Sequence, residues 1–172
     1  FIALMAALLL SVSGLPATAD QKDPRLNGLF SLLQKTPSPP EFAARIEQDI
    51  WQIWSQSGDR EVTSYMLAGI HAMASGDLPR ALDSFTAATR TDAQFAEGWN
   101  KRATVLYLMG DLRASLADVQ RTLDLEPRHF GALAGLGLIY DALGEPAGAH
   151  AAYSRALEIN PHMPHVRERL ET

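Results

Sequence analysis

A chain of 172 residues with 47% hydrophobic content has enough apolar material for one packed domain or a short repeat array, and too much for a disordered chain. A net charge of −5 and a pI near 5.5 argue against a nucleic-acid partner, which needs a basic surface. The absence of cysteine removes disulfides, thiolate metal sites and cysteine nucleophiles together.

Residues 1–19 read as an export signal. Residues 2–10 are apolar and uncharged, and the run is broken at 11–16 by Ser13, Gly14 and Pro16. Ala17, Thr18 and Ala19 then place small side chains where a signal peptidase reads, which predicts a cut between Ala19 and Asp20. The apolar run is shorter than the roughly 18 residues of a spanning helix. The expectation is therefore no membrane span after cleavage, with an uncleaved anchor as the alternative. No initiator Met or basic flank precedes the run, so the start is expected upstream of Phe1.

Residues 20–25 form a polar linker ahead of a first helix over about 24–35, on which Leu26, Leu29, Phe30 and Leu33 recur at helical spacing. The proline-rich stretch 36–40 stops it. A second helix starts near Pro40 with Phe42, Ile46, Ile50, Ile53 and Trp54 on one side, and Ser57, Gly58 and Asp59 end it. Residues 20–61 thus read as an apolar helical hairpin. It is expected to cap the first unit of the repeat array that begins at residue 62.

From residue 62 the chain repeats with a step of 34. Gly76, Gly110 and Gly144 are each followed by an acid, Asp77, Asp111 and Glu145. The neighbouring columns keep step: Tyr65, Trp99 and Leu133; Gly69, Ala103 and Gly137; Ala81, Ser115 and Ala149; Phe85, Val119 and Tyr153. Glycine ends one helix in the left-handed conformation and the acid caps the next. Pro79 and Pro146 suit a first helical turn, and Pro127 and Pro161 close second helices. The small columns let paired helices approach, and the large ones fill the remaining space. Three units are expected, 62–95, 96–129 and 130–163, with a short C-terminal cap at 164–172. Such a period means one supersecondary unit stacked on copies of itself.

The glycine–acid turn, the small-residue columns, the aromatic or leucine column and the terminal proline together resemble the tetratricopeptide repeat family. The likeness covers about 62–163, most clearly in FAEGWNKRATVLYLMGDLRASLADVQRTLDLEP and FGALAGLGLIYDALGEPAGAHAAYSRALEINP. The first copy departs from it at Ala93, Ala68 and Ala72, and the second at Arg102. The resemblance implies an all-α fold, an α-solenoid of three helix pairs preceded by a capping hairpin. With the signal and the Trp51/Trp54 helix, the chain also looks like the small exported tetratricopeptide proteins of Gram-negative bacteria, which places it in the periplasm.

In such an array the first helices line a concave surface. Residues at i, i+4 and i+7 on them predict a partner-binding groove: Met66, Ile70 and Met73; Asn100, Thr104 and Tyr107; Ala134, Leu138 and Asp141, with Lys101 at the margin. The function this implies is a non-catalytic protein-interaction module, a scaffold that holds a protein or peptide segment and needs no cofactor. Asn100 is suited to a partner backbone and Lys101 to an acidic group. Alternatively, Met66, Ile70 and Met73 pack on the N-terminal hairpin. Some tetratricopeptide modules grip a carboxylate terminus with lysine, arginine and asparagine. Only Asn100 and Lys101 resemble that set, so such specificity is not expected.

Two other classes compete. A metal-dependent enzyme would use His162 and His165 with Glu168 nearby, since imidazole and carboxylate ligate divalent ions; solvated turn residues are the expected reading. Asp118 and Asp124 read as solvated charge on exposed helical faces rather than a general acid and base. Gly135 and Gly137, within a helix, read as close-packing positions and not as a nucleotide loop. The third class is a self-associating structural protein, motivated by the thin cover after Pro164 and leaving a homo-oligomer open.

Overall fold

The computed structural model describes residues 20–35 and 40–171. The expected signal segment and the break at 36–39 lie outside those residues. The described chain forms α1 (Arg25–Lys35), α2 (Pro40–Trp54), α3 (Arg60–Ala74), α4 (Leu78–Thr91), α5 (Ala96–Leu108), α6 (Leu112–Leu125), α7 (Phe130–Leu143), α8 (Pro146–Ile159) and α9 (Pro164–Leu170), with no strand among the described residues. From α3 onward the helices pack in consecutive pairs, α3 with α4, α5 with α6 and α7 with α8, and each pair packs on the next. No helix among the described residues is long and apolar enough to cross a membrane.

The three intra-pair turns share one chemistry. Gly76, Gly110 and Gly144 have φ of 77°, 82° and 74°, the left-handed region that glycine enters without a Cβ clash. At each, the N–H of the next residue, an acid, donates back to the helix end. Asp77 bonds the Ala72 carbonyl, Asp111 that of Leu106 and Glu145 that of Tyr140, all at 2.9 Å. These bonds satisfy carbonyls that the helix end leaves open. Asp77 and Asp111 then cap the next helix, accepting from the N–H of Arg80 and Ala114 at 3.1 Å. Glu145 makes no such side-chain cap; there Pro146 begins the helix, and its missing N–H needs no partner.

Within each pair a small residue faces a large one. A Cβ on Gly69 would lie 2.5 Å from the Phe85 ring, and one on Gly137 would lie 2.2 Å from the Tyr153 ring. In the middle pair Ala103 shares a buried cluster with the smaller Val119. Helix spacing is thus held by complementary volume: glycine against an aromatic ring, alanine against valine. In the large column Leu133 is buried, while Tyr65 and Trp99 are half-buried and turn polar ends outward, Tyr65 to Glu61 and Trp99 to the Ala93 carbonyl.

The hairpin α1–α2 does not cap the first pair. Its core of Leu26, Phe30, Leu33, Ala43, Ile46, Ile50, Ile53 and Trp54 closes over Phe130, Ile159 and Met163, and includes no described residue of α3 or α4. It lies across the turns that join successive pairs. Gln21 bonds the Gln94 carbonyl and accepts from the Ala96 N–H. Arg128 donates to Asn27 and covers the Phe30 ring, while His162 bonds the Leu33 carbonyl. Asn160 donates to Glu47. The reason is apolar cover: Phe130, Ile159 and Met163 stand at those turns and need burial. The described residues leave the edge of α3 open. Ser64 and His71 are exposed there, whereas their equivalents Gly98, Val105, Ala132 and Ile139 are buried under the preceding pair. Leu67 and Ala68 are exposed beside them. At the other end α9 covers the third pair through Val166, which joins Leu133, Ala149, Tyr153 and Ala156.

Candidate functional site: the groove between the first helices

The concave side between α5 and α7 carries a cleft of about 80 Å³, lined by Asn100, Ala103, Thr104, Tyr107, Gly131, Gly135, Leu138 and Ile139 with Ser115 and Val119 behind them. Four of the residues expected to line a groove therefore converge: Asn100, Thr104, Tyr107 and Leu138. Ile70, on the same column as Thr104 and Leu138, is 45% exposed on α3. Met66 is 5% exposed and packs with Phe85, Phe95 and Val105, and half-buried Met73 joins the same cluster. These two methionines serve the core of the first pair, and the hairpin's cluster takes neither them nor Ile70. Half-buried Ala134 packs in the cluster of the third pair. Asp141 is exposed at the far end, where it accepts from the Tyr153 hydroxyl at 2.7 Å and meets Arg169 at 3.6 Å. Burial, the larger cause, and that hydroxyl bond push the Tyr153 phenol well above its ordinary value.

The expected free donors are not free. Glu97, fully buried at the foot of the groove, accepts from Asn100 Nδ2 at 2.8 Å and meets His129 Nε2 at 3.0 Å. Lys101 Nζ stands 3.1 Å from its other oxygen as a charge contact without hydrogen-bond alignment. The Ala132 N–H donates to His129 Nδ1 at 3.1 Å, so the bonding pattern assigns the ring proton to Nε2, aimed at Glu97. Burial alone would raise the Glu97 carboxyl; the His129 bond, the Lys101 charge and the Asn100 bond outweigh it and hold the group below the ordinary glutamate value. The asparagine–lysine pair therefore already holds a carboxylate from its own helix.

Two tryptophans of α2 pack on the start of α7. Trp54 stacks on His129, with ring centroids 4.2 Å apart and planes at 7°. Trp51 meets His129 and Phe130 edge-on, and the Lys101 ammonium lies 5.7 Å over its ring. A Cβ on Gly131 would fall 2.6 Å from the Trp51 indole, so this glycine is required by the hairpin.

A second, partly buried ion pair lies on the opposite flank of α5. Arg102 donates through Nε and a terminal nitrogen to both oxygens of Asp118, at 2.6 and 2.7 Å, and also reaches the Thr89 hydroxyl. Asp118 is buried, contrary to its expected place on a solvated face, because α6 turns it toward α5. Its partner is the arginine that departs from the apolar column. His162 is engaged by the Leu33 carbonyl, and His165 is exposed on α9. Among the described residues no group of three or more histidines and carboxylates stands close enough to hold a metal.

Sequence reasoning missed Gly131 as a groove residue, buried Glu97 beneath Asn100, and the exposed Leu67 and Leu108 (63% and 54%); Gly135, expected to serve close packing, instead lines the cleft with no described atom near its Cβ position. The 34-residue step does point to Leu67, which shares a column with Lys101 and Gly135.

The family model of the tetratricopeptide repeat matches residues 66–112 and 100–164, more than half of the chain. The chain belongs to the tetratricopeptide repeat family. A TPR repeat-containing protein of Rhizobium etli is 35% identical over 171 residues, covering 92% of this chain and 83% of its own length. The photosystem I assembly protein Ycf3 of Rippkaea orientalis is 32% identical over 113 residues, 58% of this chain and 63% of that protein. Among solved structures, the first TPR of Spaghetti (RPAP3), bound to an HSP90 peptide, superimposes with a TM-score of 0.64 at 19% identity, covering 65% of this chain and 89% of that one. MamA superimposes with a TM-score of 0.61 at 21% identity, over 87% of this chain and 80% of that one. Likeness at this identity concerns the fold, an all-α solenoid of stacked helix pairs.

Proposed function

We propose that this protein is a non-catalytic interaction module that holds a segment of a partner protein along the groove between its first helices. The observation that carries the reading is the α5–α7 cleft, an open apolar recess that neither the hairpin nor α9 fills. The HSP90 peptide held by the similarly folded RPAP3 repeat supports the mode of binding but not the partner's identity. The partner segment does not dock through a terminal carboxylate, since Asn100 and Lys101 are engaged by Glu97. Ile70 and Thr104 are both exposed, so substituting them tests the groove without touching the core. Ile70→Glu with Thr104→Glu should leave the helical content unchanged and abolish partner capture. Unchanged capture by that folded variant would refute the proposal.

Export to the cell envelope belongs to the same reading. Its support is the apolar run at 2–10 with Ala17 and Ala19 behind it. Mass spectrometry of the mature protein should find Asp20 at the N-terminus; a secreted form retaining residues 1–19 would contradict it.

Self-association is the second reading, favoured by the open edge of α3. Light scattering over a concentration series decides it: a mass that doubles supports the edge as a self-contact, and a constant monomer mass refutes it.

A further inference from the structure

Helix α7 carries glycines at 131, 135 and 137, within its 14 residues. A glycine inside a helix is unfavourable by roughly 1 kcal/mol relative to alanine, so each one calls for a reason. Gly131 makes room for Trp51, and Gly137 for Tyr153. Gly135 makes room for nothing among the described residues: a Cβ there would meet none of their atoms within 4 Å. The space above it is the α5–α7 cleft, whose sides are Thr104, Tyr107, Leu138 and Ile139. Bare helix backbone in the wall of an open recess is what close approach by another molecule requires.

The size and charge of the recess narrow that molecule. A volume of about 80 Å³ exceeds the roughly 10–15 Å³ that a cavity needs to hold one water. It is about half of a cavity that admits benzene, roughly 150 Å³, and far below the roughly 300–1,000 Å³ of small-molecule sites. The flanking charges are already matched: Lys101 faces Glu97, and Asp141 faces Arg169 and accepts from the Tyr153 hydroxyl. An entering charge would find no counter-ion and would lose its water. Electrostatic complementarity therefore selects an uncharged group.

We propose that the recess over Gly135 receives one uncharged aliphatic side chain, of valine to leucine size, from a partner segment lying across α5 and α7. This anchor rests on the groove reading above and specifies its chemistry. Gly131, at one end of the lining, is backed by Trp51 of the hairpin, so the segment continues from the anchor the other way, toward Leu138 and Asp141.

The test uses the full chain and a displayed library of random dodecamer peptides. Peptides enriched on the wild-type protein should share a single valine, isoleucine or leucine. Replacing that residue with alanine should weaken binding by roughly tenfold or more, and aspartate or tryptophan in its place should abolish it. Gly135→Leu should fill the recess from within, keep or raise the melting temperature, and abolish binding. Gly28→Ala, on an open face of α1 with no atom within 4 Å, should bind as wild type. Peptides that lose binding to Ile70→Glu with Thr104→Glu but still bind Gly135→Leu would overturn the anchor and leave the groove standing. Peptides indifferent to both substitutions, or a selection that enriches none, would count against the groove as well.

Discussion

Gly137 and Tyr153 interlock so closely that a Cβ on the glycine would fall 2.2 Å from the tyrosine ring. The ring cannot swing aside cheaply, because it is buried and its hydroxyl is tied to Asp141. Two residues earlier, Gly135 faces empty space. The two glycines should therefore respond oppositely to the same change. Gly137→Ala should destabilise by about 1–3 kcal/mol through overpacking, and Gly135→Ala should stabilise by about 0.5–1 kcal/mol through helix propensity. Urea denaturation midpoints compare them; a shift of the same sign for both would contradict the packing described.

Trp54 and His129 form the joint between hairpin and array. Trp54→Ala removes the stack on His129 together with the contacts to Phe30 and Phe130. Truncating a fully buried tryptophan should cost about 3–5 kcal/mol. Amide exchange should accelerate in α1 and α2 while α3 and α4 keep their protection, since the hairpin's core takes nothing from that pair. Equal loss of protection in α3 would place the hairpin at the first pair instead.

The acid limb of stability should follow Glu97. Its folded-state carboxyl is held below the ordinary value of 4.5. A depressed carboxyl stabilises the fold fully above its unfolded value, and that contribution is lost as pH falls through the folded value. Stability should therefore drop below about pH 4.5 and continue falling in more acid solution. Glu97→Gln should cost about 3 kcal/mol at neutral pH, since the Lys101 ammonium loses its anion, and should flatten the decline below about pH 4.5. A variant with the wild-type slope would show that Glu97 is not the group responsible.

Arg102 and Asp118 make a partly buried, two-pronged ion pair. Asp118→Ala should cost about 3 kcal/mol by stranding the guanidinium, whereas Arg102→Met combined with Asp118→Leu should recover most of it. Additive losses in the double variant would mean that the two residues act independently.

The turns at Gly76, Gly110 and Gly144 were legible in the sequence because a left-handed helix end nearly dictates glycine, and the step of 34 repeated that local rule three times. The small and large columns were legible for the same reason. The docking of α1–α2 was not, because the hairpin stands outside the period and its partners Phe130, Ile159 and Met163 lie far along the chain. Asp118 was misplaced because its environment is set by Arg102 on another helix. Asn100 and Lys101 stand on α5 as their spacing implied, but their engagement by Glu97 involves a buried histidine, His129, contributed by the turn before α7. Periodicity reports which face of a helix is covered; it does not report which polar groups find one another beneath it.

The most direct measurement places a photo-activatable cross-linker at Thr104, on the groove, and separately at Gln120, on an exposed face of α6. Both full-length variants are irradiated in intact cells. Adducts to one partner protein should form from Thr104 and not from Gln120. Equal adducts from both positions, or adducts from Gln120 alone, would contradict a groove that holds the partner.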